Sequence, residues 1–260
     1  MRDRPETALK ICGLRAGYGT REILSGVDLD IRRGEVAALL GLNGSGKSTL
    51  LRAALGLIPS EGDVTADGRN VRAMSARERA ALLGYIPQRS RLDDGLTALD
   101  AVLMGANAQT PLLAGYSRAQ RARAKQCLTA LGAQDLAQRT ALTLSQGQRQ
   151  LVIFARAMMQ QPKILLLDEP DGALDLQRRS AMMAQVRALC GADGCALCAL
   201  HDASLALSAC DRVFILRDGA IACDLDMRTA EEAEVLAAMR LLYGDGAAAG
   251  RIGGRWAVVG

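Results

Sequence analysis

The run Gly41-Leu-Asn-Gly-Ser-Gly-Lys-Ser48 constrains this chain more than any other stretch. It fits G-x-x-x-x-G-K-[ST], follows the apolar run Val36–Leu40, and leads into a helical pattern from Lys47 to about Leu57. Glycine lets successive backbone N–H groups turn toward one centre with no Cβ in the way. The helix N-terminus adds the positive end of its dipole, so the loop reads as a cradle for phosphates. Lys47 is placed to reach the β- and γ-phosphates, and the Ser48 hydroxyl to hold Mg2+. A strand feeding such a loop and then a helix points to an α/β fold with a largely parallel sheet.

The rest of the chain fits that plan. Strand-like runs lie at 8–14, 28–31 and 36–40, another ends at Tyr85-Ile86-Pro87-Gln88, and more follow at 164–167, 195–200 and 212–216. Between them, residues 98–104, 118–131 and 145–160 carry helical patterns. We therefore expect a nucleotide-binding core formed by 1–88 and 162–229, a helical insertion over 89–161, and a tail over 230–260. The tail is rich in Gly and Ala from Gly244 and ends in a strand-like Trp256-Ala-Val-Val, to which the sequence assigns no role.

Composition narrows the function classes. Half of the 260 residues are hydrophobic and 23% are charged, as in a globular domain. The net charge is +4 with no segregated basic stripe, so nucleic-acid binding is not expected. No apolar run is long enough to span a bilayer, and the charged start has no apolar region after it. Any membrane role then needs a partner. Seven cysteines inside predicted elements suit a reducing compartment. Cys195 and Cys198 form C-x-x-C, but on a strand residues i and i+3 face opposite ways, which argues against a metal pair.

Two further segments carry chemistry. Ile164-Leu-Leu-Leu-Asp-Glu169 is an apolar strand ending in two carboxylates, at the edge where open α/β sheets bind ligands. Asp168 suits Mg2+, and Glu169 can polarise an attacking water. In Leu144-Ser-Gln-Gly-Gln148, Ser145 and Gln148 have capping-box spacing ahead of an apolar face at Leu151, Phe154, Ala155 and Met158.

Taken together, these segments resemble the ATP-binding cassettes of ABC transporters, over about residues 8–219. The resemblance implies a P-loop NTPase (RecA-like) core with a parallel sheet, an inserted helical subdomain and a small antiparallel β part. Gly41, Leu42, Asn43, Gly44, Ser45, Gly46, Lys47, Ser48 and Thr49 are similar to Walker A, and residues 164–169 to Walker B. Tyr18 resembles the aromatic that stacks on adenine, Gln88 the Q-loop residue at Mg2+, Asp175 the D-loop aspartate, and His201 the switch histidine. Ser145, Gln146, Gly147 and Gln148 look like the signature that meets ATP bound to the partner subunit. Gln146 stands where a glycine is usual, Asp171-Gly172 where Thr-Ser is common, and Leu42 where proline is frequent.

The family implies catalysis by Glu169, His201 and Lys47, with Mg2+ held by Ser48, Gln88 and Asp168. It also implies a homodimer on the cytoplasmic face of the membrane, a separate permease and a substrate-binding protein. Residues 99–105, 149–156 and Leu242-Tyr-Gly resemble the ATPases of importers for iron-siderophore, haem or cobalamin chelates. The alternative is a soluble member without a permease, such as the iron–sulfur cluster assembly type.

Overall fold

The computed structural model describes residues 7–88, 92–108, 110–111, 115–170, 172 and 176–260. In chain order its elements are β1 (Thr7–Tyr18), β2 (Arg21–Arg32), β3 (Val36–Leu40), α1 (Lys47–Ala54), β4 (Ser60–Ala66), β5 (Arg69–Asn70), α2 (Ala76–Leu82) and β6 (Leu83–Ile86). Next come α3 (Ala98–Leu103), α4 (Arg118–Ala130), α5 (Gln146–Gln160), β7 (Ile164–Asp168), α6 (Leu176–Cys190) and β8 (Cys195–Ala199). The chain closes with α7 (Ala203–Ala209), β9 (Arg212–Arg217), β10 (Ala220–Asp226), α8 (Glu232–Tyr243), β11 (Ala248–Ile252) and β12 (Arg255–Val259).

The central sheet runs β10-β9-β3-β8-β7-β6. Five of its strands are parallel and β10 pairs antiparallel at one edge. β3, β7 and β8 are buried at every position, which is why they read as continuous apolar runs. Their side chains alternate between two cores. Ala38, Leu40, Leu165, Leu167 and Cys198 face one, with α3, α5 and α8. Ala37, Leu39, Leu166, Leu197 and Cys195 face the other, with α1 and the second sheet. Cys195 and Cys198 thus sit on opposite faces, as their spacing requires.

The second sheet, β2-β1-β4-β5, is antiparallel. β1 and β2 are each 12 residues, longer than the sequence pattern suggested. Their outer ends are half-polar, and cross-strand contacts such as Arg15 Nε to Glu22 Oε1 at 2.9 Å keep them extended. Helix α1 ends at Ala54 rather than Leu57, because Gly56 turns left-handed (φ +66°).

α3, α4 and α5 pack against one another beside the β6 edge of the central sheet. The tail forms an antiparallel hairpin of β11 and β12 that lies on α7, where the Trp256 and Val258 N–H groups donate to Ser208 Oγ and Ser204 Oγ, both at 3.0 Å.

Candidate functional site

The ends of β3, β6, β7 and β8 meet at one edge of the central sheet, and every loop of the site leaves from there. Residues 41–46 bridge β3 and α1. Gly46, at the head of α1, has φ +104°, and a Cβ there would lie 2.9 Å from Ile23 Cγ2. A Cβ on Gly41 would strike Ser45 Oγ at 2.4 Å and Leu216 O at 2.7 Å. No side chain among the described residues caps the N-terminus of α1, so its first N–H groups are left to a ligand.

Lys47 is 4% exposed and donates through Nζ to the Gly41 carbonyl at 2.7 Å. Burial lowers its pKa, and the nearby Glu169 and Asp168 charges oppose that. Ser48 Oγ donates to Asp168 Oδ1 at 2.8 Å. Asp168 is fully buried, and its second oxygen accepts from the Tyr85 hydroxyl at 3.2 Å. Burial holds the Asp168 carboxyl above the usual carboxylate range, while the Ser48 and Tyr85 hydrogen bonds pull it back. Burial also pushes the Tyr85 phenol up to about 12, so it stays a donor.

Glu169, the next residue, has a different set of partners. It adopts φ +50°, a left-handed conformation that costs a non-glycine residue about 1–3 kcal/mol. Its N–H donates to the Ala199 carbonyl at 3.0 Å, tying it to the end of β8. Its carboxylate is held at both oxygens: Oε1 lies 2.6 Å from His201 Nε2, and Oε2 accepts from Gln88 Nε2. Gln88, Glu169 and His201 therefore meet in one network. Asp175 and Asp171 lie outside the described residues.

A cleft of about 170 Å3 opens beside this network, lined by Tyr18, Ile23, Gly44 to Thr49 and Glu169. Tyr18 is 49% exposed at its mouth, with its ring open to a flat ligand. Its hydroxyl accepts from Arg52 Nη1 at 3.4 Å. The sequence reading missed Arg52 and Tyr85. Both lie within a few residues of a motif, on α1 and on β6, and nothing in their spacing marks them.

Ser145 to Gln148 form the predicted capping box on α5: Ser145 N donates to Gln148 Oε1 at 3.0 Å and Gln148 N to Ser145 Oγ at 3.3 Å. Ser145 and Gln146 are exposed, and none of the four lines the cleft.

The donor set fits Mg2+. Ser48 Oγ and Asp168 Oδ1 are hard oxygens within 2.8 Å of each other. Among the described residues no group of three or more His, Cys, Asp or Glu is placed to hold a metal ion.

Known proteins resemble this chain in sequence and fold. The ABC transporter family description matches residues 24–172. The phosphonates import ATP-binding protein PhnC of Escherichia coli is 38% identical, over 84% of this chain and 89% of that protein. The hypophosphite import ATP-binding protein HtxD of Stutzerimonas stutzeri is 36% identical, over 84% of this chain and 67% of that protein. Among solved structures, the dimeric post-hydrolysis form of the ATP-binding cassette MJ0796 bound to ADP and Pi superposes with a TM-score of 0.77 at 28% identity, covering 85% of this chain and all of that one. A putative metal-chelate type ABC transporter shares the fold at 24% identity, with a TM-score of 0.77 and 97% of this chain covered. A cleft shaped for nucleotide phosphates and a match over most of the chain lead to one assignment: this chain belongs to the ABC transporter family, as an ATP-binding, ATP-hydrolysing cassette.

Proposed function

We propose that this chain works as a head-to-tail pair with a second copy and powers an importer through a separate membrane permease. The separation of two features carries the reading. The cleft is lined by the phosphate loop and Glu169, while the exposed head of α5 with Ser145 lines no part of it. A second copy can bring its own α5 head, with N–H groups and dipole, to the γ-phosphate. The related cassette MJ0796 has been solved as a dimer. Closure would then be driven by two sandwiched nucleotides and lost on hydrolysis.

Within each cleft, Lys47 and the loop N–H groups bind and orient the phosphates, and Tyr18 stacks on the base. Ser48, Asp168 and Gln88 would hold Mg2+, which would supply positive charge against the phosphate oxygens. Glu169 accepts the proton of the attacking water as its oxygen joins the γ-phosphorus and the bond to the β-phosphate oxygen breaks. His201 orients the Glu169 carboxylate and the γ-phosphate. Each Glu169 oxygen has one partner here and keeps a further lone pair for the attacking water. β6, the strand that precedes Gln88, borders a groove.

That groove, of about 340 Å3, runs between β6 and α5 and is lined by Tyr85, Met104, Ile153 and Arg156. Arg156 has no ion-pair partner among the described residues, and burial lowers its pKa. Such a half-buried guanidinium in a groove supports docking of an acidic element of a permease. No helix among the described residues is long and apolar enough to cross a membrane, and we assign the membrane path to a separate chain. We place the pair on the cytoplasmic face, with a substrate-binding protein as a further partner.

Two cargo classes have support. PhnC and HtxD are named for phosphonate and hypophosphite import, which favours a phosphorus oxyanion. The segments 99–105, 149–156 and Leu242-Tyr-Gly resemble metal-chelate importers, the class expected from sequence. Capture of the tagged chain from gently solubilised native membranes is the test. Recovery of a polytopic permease supports the importer, and titrating its binding protein with methylphosphonate and with a ferric siderophore separates the cargoes. Recovery of soluble scaffold proteins alone would overturn the reading.

A further inference from the structure

Arg52 stands on α1 one turn after Ser48, so the two side chains lie on the same helix face. Ser48 donates directly to one oxygen of Asp168. Arg52 reaches the other oxygen at one remove. The Tyr85 hydroxyl donates to Asp168 Oδ2 at 3.2 Å, and the Arg52 guanidinium bonds to that same hydroxyl. A phenol has one proton and two lone pairs. Having given its proton to the carboxylate, the Tyr85 oxygen accepts from the arginine.

The same guanidinium reaches the mouth of the cleft. Its Nη1 donates to the Tyr18 hydroxyl at 3.4 Å, the one hydrogen bond of that side chain among the described residues. The Tyr85 and Tyr18 hydroxyls push the Arg52 pKa above the ordinary arginine value. A chain that runs from a cation through a phenol to a buried carboxylate polarises each of its links. A guanidinium carries five donors in one plane and can serve two acceptors at once, which the point charge of a lysine does less well. Tyr18 stands at the open end of the cleft, and Asp168 beside Ser48 at its phosphate end. One side chain is therefore tied to both ends.

We propose that Arg52 is a positioning residue of the ATP site, fixing the Tyr18 ring at the base end and, through Tyr85, the Asp168 carboxylate at the phosphate end. The proposal rests on the reading above in which Tyr18 stacks on the base and Asp168 faces Mg2+. Arg52 lines no part of the cleft, so it acts through the two tyrosines. Its loss should loosen the grip on base and metal together.

The test uses the full chain and two binding measurements. Fluorescent ADP titrated in EDTA reads the base end. Mn2+, an oxygen-seeking cation visible by EPR, reads the phosphate end in the nucleotide complex. Arg52→Met removes the guanidinium and keeps a stem. It should weaken ADP about threefold to tenfold, and Mn2+ by a similar factor, as for loss of one hydrogen bond at each end. Tyr18→Phe should reproduce only the ADP loss, and Tyr85→Phe only the Mn2+ loss. Adding Arg52→Met to Tyr18→Phe should weaken ADP no further, and adding it to Tyr85→Phe should weaken Mn2+ no further, because each pair removes the same contact. A lowered Tm in Arg52→Met with both affinities unchanged would make Arg52 a purely structural residue and overturn the proposal. Losses that add in both double variants would overturn it too. Tyr18→Ala tests the underlying reading separately. Wild-type ADP affinity there would take Tyr18 away from the base, whereas a clear loss there beside an unaffected Arg52→Met would remove Arg52 alone.

Discussion

Asp168 and Glu169 are adjacent carboxylates with no partner in common. Asp168 ends β7 in regular strand geometry, fully buried against Ser48 and Tyr85, while the positive φ of Glu169 goes with contacts to His201 and Gln88. Two separable functions follow. Glu169→Gln should cut ATP turnover by about 10^2-fold or more, the usual weight of a positioned base, with nucleotide affinity retained. Single-turnover hydrolysis and fluorescent-nucleotide titration would check it, and near-normal turnover would remove Glu169 as the base. Asp168 behaves differently with pH. Burial raises its pKa, so its contribution to stability is fullest below the ordinary carboxylate range and is lost as pH rises through the folded value. Asp168→Asn keeps an acceptor for Ser48 without the buried charge. It should raise Tm at pH 7, raise it less at pH 4, and weaken Mg2+-dependent ATP binding. Thermal melts at the two pH values would show it. The types and order of these residues were legible in sequence. Their partners were not, because Tyr85 reaches Asp168 across the β6–β7 pairing and His201 reaches Glu169 across β7–β8.

Helix α5 shows what an element can announce by itself. Its capping box and its apolar face are local facts, so its start at Gln146 after Ser145 was readable. The same holds for α4 after Ser117, whose box closes on Gln120. Ser145→Ala should cost about 1 kcal/mol of stability, measured by denaturant titration, because one cap is lost. The effect on turnover should be larger than that stability loss explains. The packing of α5 was not readable. A Cβ on Gly105 would fall 2.2 Å from the Arg156 carbonyl and 3.0 Å from Met159 Cβ, so glycine there sets how closely the segment after α3 approaches α5. Gly105→Ala should destabilise the chain by about 1–3 kcal/mol by overpacking. It should also disturb the groove that Met104 and Arg156 line. The extra length of β1 and β2 escaped the pattern for a related reason: a strand whose outer face is polar is kept extended by its neighbour and not by its own periodicity.

At the scale of the whole molecule, a cleft and an α5 head that line no common space predict cooperation between chains. Turnover per chain should rise with chain concentration. Lys47→Ala and Ser145→Arg chains should each be inactive, and their mixture should recover part of the activity, since one composite site in a mixed pair keeps an intact loop and an intact α5 head. A mixture that stays inactive would place both halves of the site within one chain. The sequence by itself determined the phosphate loop, the carboxylate-ended strand, the capped α5 and the alternation that makes the sheet parallel. These depend on near neighbours along the chain: glycine freedom, apolar runs and side-chain caps. Only the tertiary structure decided that β3, β6, β7 and β8 end at one edge, and that Cys195 and Cys198 part into two cores. Those outcomes follow from strand order and helix packing, which join residues far apart in sequence and which no local pattern encodes.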